Sequence, residues 1–403
     1  MIDLELIDSF KQEEWDFNRV CMKDPDNKDV KIIVGYHGSC VDGITAAAIF
    51  KMFAPALLFK NEQITIVTID IQYGDSYTKL IPVHPENCEL FLLDFSFGVQ
   101  DIKELCKVFK KVTIWDHHEA AEKKINAGLE EILALKNFNS VFDMNRCGTS
   151  LTLFNLVHSN VNVIENYEVN PYIDPELEEF LQVGKIAYNT LTHNTFSSTE
   201  LENIWKFVKI VESGDLYTFK EPDSKEIGVY LKSYYKKISV NYAIEFISNL
   251  SLRDFYEMKM IGLSFLAKDQ LEFHFMVKKI KRDIENNKMA LTILNGIPTV
   301  CINYTGNVSD LGNFICRETN FPVCMYWFME KVIDGVPYPS VIASMRSMDH
   351  LPSVCDITMF YGGGGHRNAA GFEIKGTVSD FDERFSKIFG SKANKVFLKD
   401  LEK

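Results

Sequence analysis

The chain has 403 residues, 46% hydrophobic and 25% charged, with a net charge of −13. That length calls for two domains rather than one core, and the composition is that of a soluble globular protein. The acidic balance argues against a general binder of long duplex DNA, which needs a broad basic face. It leaves room for a short anionic substrate held by metal ions and a few basic residues.

No apolar run is long enough to span a bilayer, and the nearest, residues 44–59, is interrupted by Lys51 and Pro55. Residues 1–30 are charged and lack a signal-peptide core. Nine cysteines without CxxC spacing read as reduced thiols, mostly core filler, in a cytoplasmic protein.

In chain order, residues 1–30 are polar with scattered aromatics (Phe10, Trp15, Phe17) and read as an extension or lid. Residues 31–36 form a buried strand ending in His37, followed by the loop Gly38-Ser39-Cys40-Val41-Asp42-Gly43 and a helix of small residues over 44–50. A second strand is expected over 63–69. A third, over 88–93, delivers Asp94, and residues 101–110 are helical. The fourth strand, 111–115, runs straight into Asp116-His117-His118. Residues 119–134 are amphipathic and 141–144 offer a short fifth strand. Residues 145–150 form a turn opening a helix through Val157, with Thr149 and Ser150 as caps and an amide end open to an anion. Helices follow over 173–188 and 200–211, the latter running into Asp215. Strands alternating with helices predict a doubly wound, mostly parallel sheet, and in such a sheet the strand ends share one edge.

Residues 221–265 read as a helical connector. A long helix over 266–284 ends in Lys278, Lys279, Lys281 and Arg282, a solvated end favoured by the macrodipole. A second, smaller α/β unit follows, with strands over 289–294, 299–304, 323–330 and 341–346, a helix over 309–317 and a hairpin turn at Asp334-Gly335. It ends in the run Gly362-Gly363-Gly364-Gly365-His366-Arg367-Asn368-Ala369-Ala370-Gly371. Consecutive glycines let a backbone approach a phosphate or base closely.

The bland reading of Asp116-His117-His118 is a helix cap beside two polar residues. The rest of the chain weighs against it, because three strands end in acidic or imidazole groups and Asp215 adds a fourth contributor. Oxygen and imidazole donors suit Mn²⁺, with Mg²⁺ the other candidate. Carboxylates from several strand ends can hold two ions about 3.5–4 Å apart and clamp a phosphoryl displacement.

These residues resemble the DHH/DHHA1 phosphoesterase superfamily. Asp116-His117-His118 matches its name-giving motif, and Gly363-Gly364-Gly365-His366 through Ala369-Ala370-Gly371 matches the glycine-rich signature of its second domain. His37-Gly38-Ser39-Cys40-Val41-Asp42-Gly43 resembles the first motif as the oligoribonuclease-like branch carries it. The resemblance implies a DHH catalytic domain over 31–220, after the 1–30 extension, and a DHHA1 substrate-binding domain over 266–403 across a cleft. It implies His37, Asp42, Asp94, His117 and Asp215 as metal ligands, with Asp94 the bridge, and His118 facing the scissile phosphate. Asp116 is a ligand or a partner of one. Cys40 stands where many members have an aspartate, and is either a soft ligand or none. Arg346, Gly363, Gly364, Gly365 and His366 are implied in substrate binding.

The activity implied is Mn²⁺-dependent hydrolysis of short oligonucleotides to mononucleotides, with small nucleotides such as pAp or linear and cyclic dinucleotides as the alternative substrates. A non-catalytic nucleotide-binding protein is the reading from another class. No membrane is implied, and a homodimer is left open.

Overall fold

The computed structural model describes residues 4–23, 30–59, 64–128, 131–132, 135–158, 174–185, 188–189, 194–235, 238–333 and 336–401. They form two compact units, Met1–Leu266 and Ala267–Lys403.

The first unit is built on a five-stranded sheet. Strand β1 (Val30–His37) pairs in parallel with β2 (Thr65–Ile71) and with β3 (Glu89–Leu93). β3 pairs with β4 (Lys111–Asp116), and β4 with β5 (Phe138–Phe142), again in parallel. The order β2-β1-β3-β4-β5 is doubly wound. It reverses direction between β1 and β3, and at such a switch point the strand carboxyl ends part to leave a crevice. Register brings the ends level, since Tyr36 pairs with Leu93 and Leu93 with Trp115. His37, Asp94 and Asp116 therefore follow at the same height.

The strands are apolar on both faces because both are covered. Ile32, Val34 and Tyr36 of β1 enter one core with α2 (Val41–Leu57), while Ile33 enters the other with Ile102, Leu105 and Cys106 of α3 (Val99–Val108). Helix α4 (Glu119–Ala127) adds Ile125 to that second core. The run Ala46-Ala47-Ala48 lets α2 sit close to α5 (Gly148–His158). The same core takes in α6 (Pro175–Gly184), then α7 (Ser198–Asp215), which starts at a capping box between Ser197 and Glu200, then α8 (Ser224–Tyr234) and α9 (Val240–Ser248). Between α6 and α7 lies a short antiparallel pair, β6 (Tyr188–Asn189) and β7 (Asn194–Thr195).

Within the expected extension, α1 (Leu4–Lys23) packs on β2 and α9. Its buried Glu14 accepts from Thr68 Oγ1 (2.7 Å) and from the Asn241 amide (3.0 Å) in the first turn of α9.

Helix α10 (Leu252–Glu285) is 34 residues long and begins well before the expected residue 266. In the second unit its Phe273, Val277, Ile280 and Ile284 pack on a seven-stranded mixed sheet. The strands are β8 (Leu291–Leu294), β9 (Ile297–Asn303), β10 (Val323–Ile333), β11 (Val336–Arg346), β12 (Gly364–His366), β13 (Ala369–Lys375) and β14 (Lys395–Val396). They stand in the order β12-β13-β11-β10-β9-β8-β14, and only β9 and β10 pair in parallel. Helix α11 (Val308–Thr319) lays Leu311, Ile315 and Cys316 on the same face as α10. Helices α12 (Val354–Phe360) and α13 (Val378–Phe385) pack on β13, and α14 (Leu398–Leu401) ends the described chain.

The glycine run differs from an open loop. Gly364 and Gly365 belong to β12 and pair with Gly371 and Ala370. A Cβ on Gly363 would meet the Gly371 carbonyl oxygen at 2.0 Å, and Gly365 has φ +138°. Backbone-on-backbone packing therefore accounts for glycine at both positions. Gln63, the Asp334-Gly335 turn, Ile173 and parts of 119–134 fall outside the described residues. Tyr188, expected in a helix, lies in β6. None of the described helices is long and apolar enough to cross a membrane.

Candidate metal centre

Each side chain of the crevice is set by the end of an element. His37 is the last residue of β1. Asp94 directly follows β3 and turns into the left-handed region, φ +55°. Aspartate is among the few non-glycine residues that tolerate this conformation. The turn leaves its carboxylate 1% exposed while its amide still reaches the Trp115 carbonyl at 3.0 Å. Asp42 lies in the first turn of α2, Asp116 ends β4, and Asp215 ends α7.

The donors converge. His117 Nε2 lies 3.0 Å from Asp94 Oδ1, 3.4 Å from Asp42 Oδ2 and 3.6 Å from Asp215 Oδ2. His37 Nδ1 lies 3.4 Å from Asp94 Oδ2. Within the first unit the described residues form two metal-capable triads, Asp42–Asp94–His117 and His37–Asp94–His118, each with its donor atoms within 4.8 Å of one another. Asp94 belongs to both, turning one oxygen toward His117 and the other toward His37.

Asp116 is spent on other partners. Its Oδ1 accepts from His118 Nδ1 (2.7 Å), the His117 amide (2.7 Å) and the His118 amide (3.2 Å), and its Oδ2 accepts from Ser96 Oγ (2.6 Å). With Nδ1 donating to that carboxylate, the lone pair of a neutral His118 sits on Nε2. The carboxyl of Asp116 is held below the usual range: burial opposes this, but the charge and hydrogen bond of His118 outweigh it, with help from His117 and Ser96.

Asp42 resolves the expectation for residues 145–150. Helix α5 does receive an anion at its amide end, and that anion is Asp42. Its Oδ2 accepts from the Gly148 amide (2.6 Å) and its Oδ1 from the Thr149 amide (2.8 Å), while Thr149 Oγ1 donates to the Asp42 carbonyl (2.9 Å). Thr149 is thus not the cap expected of it, and Ser150 Oγ bonds back to Cys147. Charge-assisted bonds of this kind contribute about 1.5–3 kcal/mol each, and the helix dipole adds to them. Burial would raise the Asp42 carboxyl, yet His117, with help from Cys147 and Thr149, holds it below the ordinary value.

Gly148 makes the cradle feasible. A Cβ there would stand 2.5 Å from Asp94 Cβ and 2.9 Å from Asp42 Oδ2. Gly148→Ala is expected to push two of the acidic side chains apart, destabilising the first unit by about 1–3 kcal/mol. Denaturant unfolding with parallel metal titration checks this, and unchanged unfolding with unchanged metal affinity would contradict it.

The donor set fits divalent cations. Asp42, Asp94 and Asp116 are almost fully buried and Asp215 is 28% exposed. With three neutral imidazoles the four carboxylates carry a charge that two divalent ions neutralise. Buried Asp94 Oδ2 accepts no hydrogen bond among the described residues, which leaves its lone pairs for a cation. The protein's own compensation is protonation. The His117 imidazole is pushed well above its ordinary value: burial opposes the shift, but Asp42 and Asp94, then Asp215, outweigh it. Burial and the neighbouring Asp42 push the Asp215 carboxyl up to about 6.

Cys40 belongs to neither triad. It precedes α2 as its cap residue, and burial together with Asp94, Asp215 and Asp42 pushes its thiol well above the ordinary value, so it keeps its proton. Ser96, Gly148 and Thr149 are the site residues that the sequence reading missed or read only as helix caps.

In the second unit, Arg346 and His366 both lie opposite Ala369, on the two strands flanking β13. Residues directly opposite share a face, and strand spacing sets the two backbones about 10 Å apart. Ser344, Gly371 and Gly364 form the next row, so the floor between the two side chains is small residues. Arg346 donates to Ser309 Oγ in the first turn of α11 (2.9 Å) and to Ser344 Oγ (3.0 Å). Arg367 instead directs its guanidinium at the carbonyls of Met348, Asp349 and Leu351, tying down a turn.

No family model matches the chain. A curated protein of Acanthamoeba polyphaga mimivirus, itself uncharacterized, is 23% identical over 369 residues, covering 87% of this chain and 69% of that protein. Among solved structures, an exopolyphosphatase-related protein from Bacteroides fragilis aligns over 89% of this chain and 91% of its own at 13% identity and a TM-score of 0.40. A pGpG-specific phosphodiesterase from Vibrio cholerae aligns over 91% and 99% at 11% identity and a TM-score of 0.26. Likeness at these TM-scores carries no weight for function.

Proposed function

We propose that the chain is a divalent-metal-dependent phosphodiesterase that hydrolyses short oligonucleotides to mononucleotides, with Mn²⁺ the favoured ion and Mg²⁺ the alternative. The observation that carries this reading is Asp94, whose two buried oxygens face two separate sets of metal-capable donors. His37, Asp42, Asp94, His117 and Asp215 would hold the ions. Bound there, a divalent pair supplies charge neutralisation and a water acidic enough to attack phosphorus near neutral pH.

The chain's own groups do the rest. Asp116 fixes the ring and tautomer of His118, so that Nε2 is the nitrogen that would face the scissile phosphate. The α5 amides hold Asp42 in place without consuming His117. Arg346 and His366, on strands whose backbones lie about 10 Å apart over a floor of glycine and alanine, would take a phosphate and its attached nucleoside. The paired DHH and glycine-rich signatures support this substrate class, and the net charge of −13 favours short substrates over long duplexes.

Metal-loaded protein incubated with end-labelled oligoribonucleotides of graded length tests the reading. Mononucleotide release that falls with increasing length is expected. Absence of hydrolysis at every length would overturn it, and faster cleavage of long duplex than of short oligomers would overturn the substrate assignment.

A further inference from the structure

Tyr73 has no part in the metal chemistry above, yet its ring adjoins both imidazoles of the His37–Asp94–His118 triad. The ring centroids are 5.2 Å from His37 and 6.3 Å from His118, near-perpendicular in both cases. Its side is backed by Phe95 at 5.1 Å, which is backed in turn by Phe97 at 5.0 Å. Phe95 and Phe97 are buried, whereas Tyr73 is 54% exposed. A large aromatic ring half in water, propped by two buried aromatics beside a cluster of acids and imidazoles, is placed for something that arrives from solvent.

The backbone that presents it is held. The Gln72 amide donates to Asp75 Oδ2 (2.9 Å) and the Asp75 amide to the Gln72 carbonyl (3.0 Å), with Gly74 at φ +100° closing the turn. Lys79 reaches the Asp70 carbonyl at the foot of the turn and Asp75 at 3.3 Å. A preorganised ring loses little entropy on stacking, which is where an exposed aromatic contributes most to binding.

We propose that Tyr73, propped by Phe95, is a stacking platform for a nucleobase whose phosphate lies at the metal centre. The inference rests on the function proposed above and sharpens it, because such a platform selects a base-bearing phosphoester over inorganic polyphosphate or a bare sugar phosphate.

Binding of adenosine 5′-monophosphate and of ribose 5-phosphate to the metal-loaded full chain tests it, by calorimetry on wild type, Tyr73→Ala and Tyr73→Phe. The two ligands differ only by the base. Wild type is expected to prefer the nucleotide, and Tyr73→Ala to lose that preference, roughly 5- to 150-fold for one stacked base. Binding of ribose 5-phosphate is expected to stay unchanged in all three proteins, and Tyr73→Phe to behave as wild type. No preference in wild type, equal weakening of both ligands by Tyr73→Ala, or a Phe variant as weak as the Ala variant would each overturn the platform. Failure of the hydrolysis assay would instead sink the activity and leave these binding results to stand or fall by themselves.

Discussion

Replacing Asp94 by asparagine should lower hydrolysis of short oligonucleotides by at least about 10³-fold, a loss near 4 kcal/mol of transition-state stabilisation. No other carboxylate of the crevice belongs to both donor triads. The amide keeps the size and one acceptor but gives up the charge that two cations would share. The fold has reason to survive. Asn tolerates the left-handed conformation of this position, and the substitution removes one of several like charges crowded near His117. The expected pattern is therefore lost turnover with metal-free stability equal to or above wild type. Comparable activity would remove Asp94 from the mechanism, and a collapsed fold would make it a structural residue first.

The second large effect is on pH and metal together. His117 and His37 have raised imidazole values, in each case because neighbouring carboxylates outweigh burial. Asp215 is raised to about 6, by burial first and then by Asp42. A raised folded value contributes stability at low pH that is lost as pH climbs through it. The metal-free protein should thus lose the Asp215 contribution as pH rises from 3.8 to about 6 and the histidine contributions as it climbs above 6.5, while the contribution of Asp42, whose value is depressed, is complete above 3.8 and is lost as pH falls below it. Cations reverse the trend, because they replace the protons on His117, His37 and Asp215. The increase in Tm on adding Mn²⁺ should be near zero at pH 5 and about 5–10 °C at pH 8 with the ion at 100 times its Kd. Turnover should fall in parallel below pH 6. Thermal melts across pH with and without Mn²⁺ check this, and a shift that is independent of pH would contradict proton displacement.

How much of this lay in the sequence depends on the range of the contact. β-branched runs stopping at His37, Asp94 and Asp116 locate three strand ends, and alternating elements imply that these ends share an edge. Periodicity and breakers carry that much, since both act within a few residues. The link from Asp42 to the amides of Gly148 and Thr149 joins positions more than a hundred residues apart. A Gly-Thr at a helix start reads as an ordinary cap until the acid that fills it is seen. Asp116 was ambiguous for the same reason, because ligand and ligand-holder are alike in sequence and differ only in what the oxygens accept. The glycine run was legible as a motif but misleading as a conformation: Gly364 and Gly365 are in strand β12, and close packing against β13 requires glycine at Gly363 and Gly365. The N-terminal helix looked like a loose extension because the partners of Glu14 lie on β2 and α9, far along the chain.

Anomalous scattering from crystals grown with Mn²⁺ tests the central claim most directly. Two peaks are predicted, one against Asp42 and His117 and one against His37, with Asp94 reaching both. A single peak, or two peaks without Asp94 between them, would contradict it.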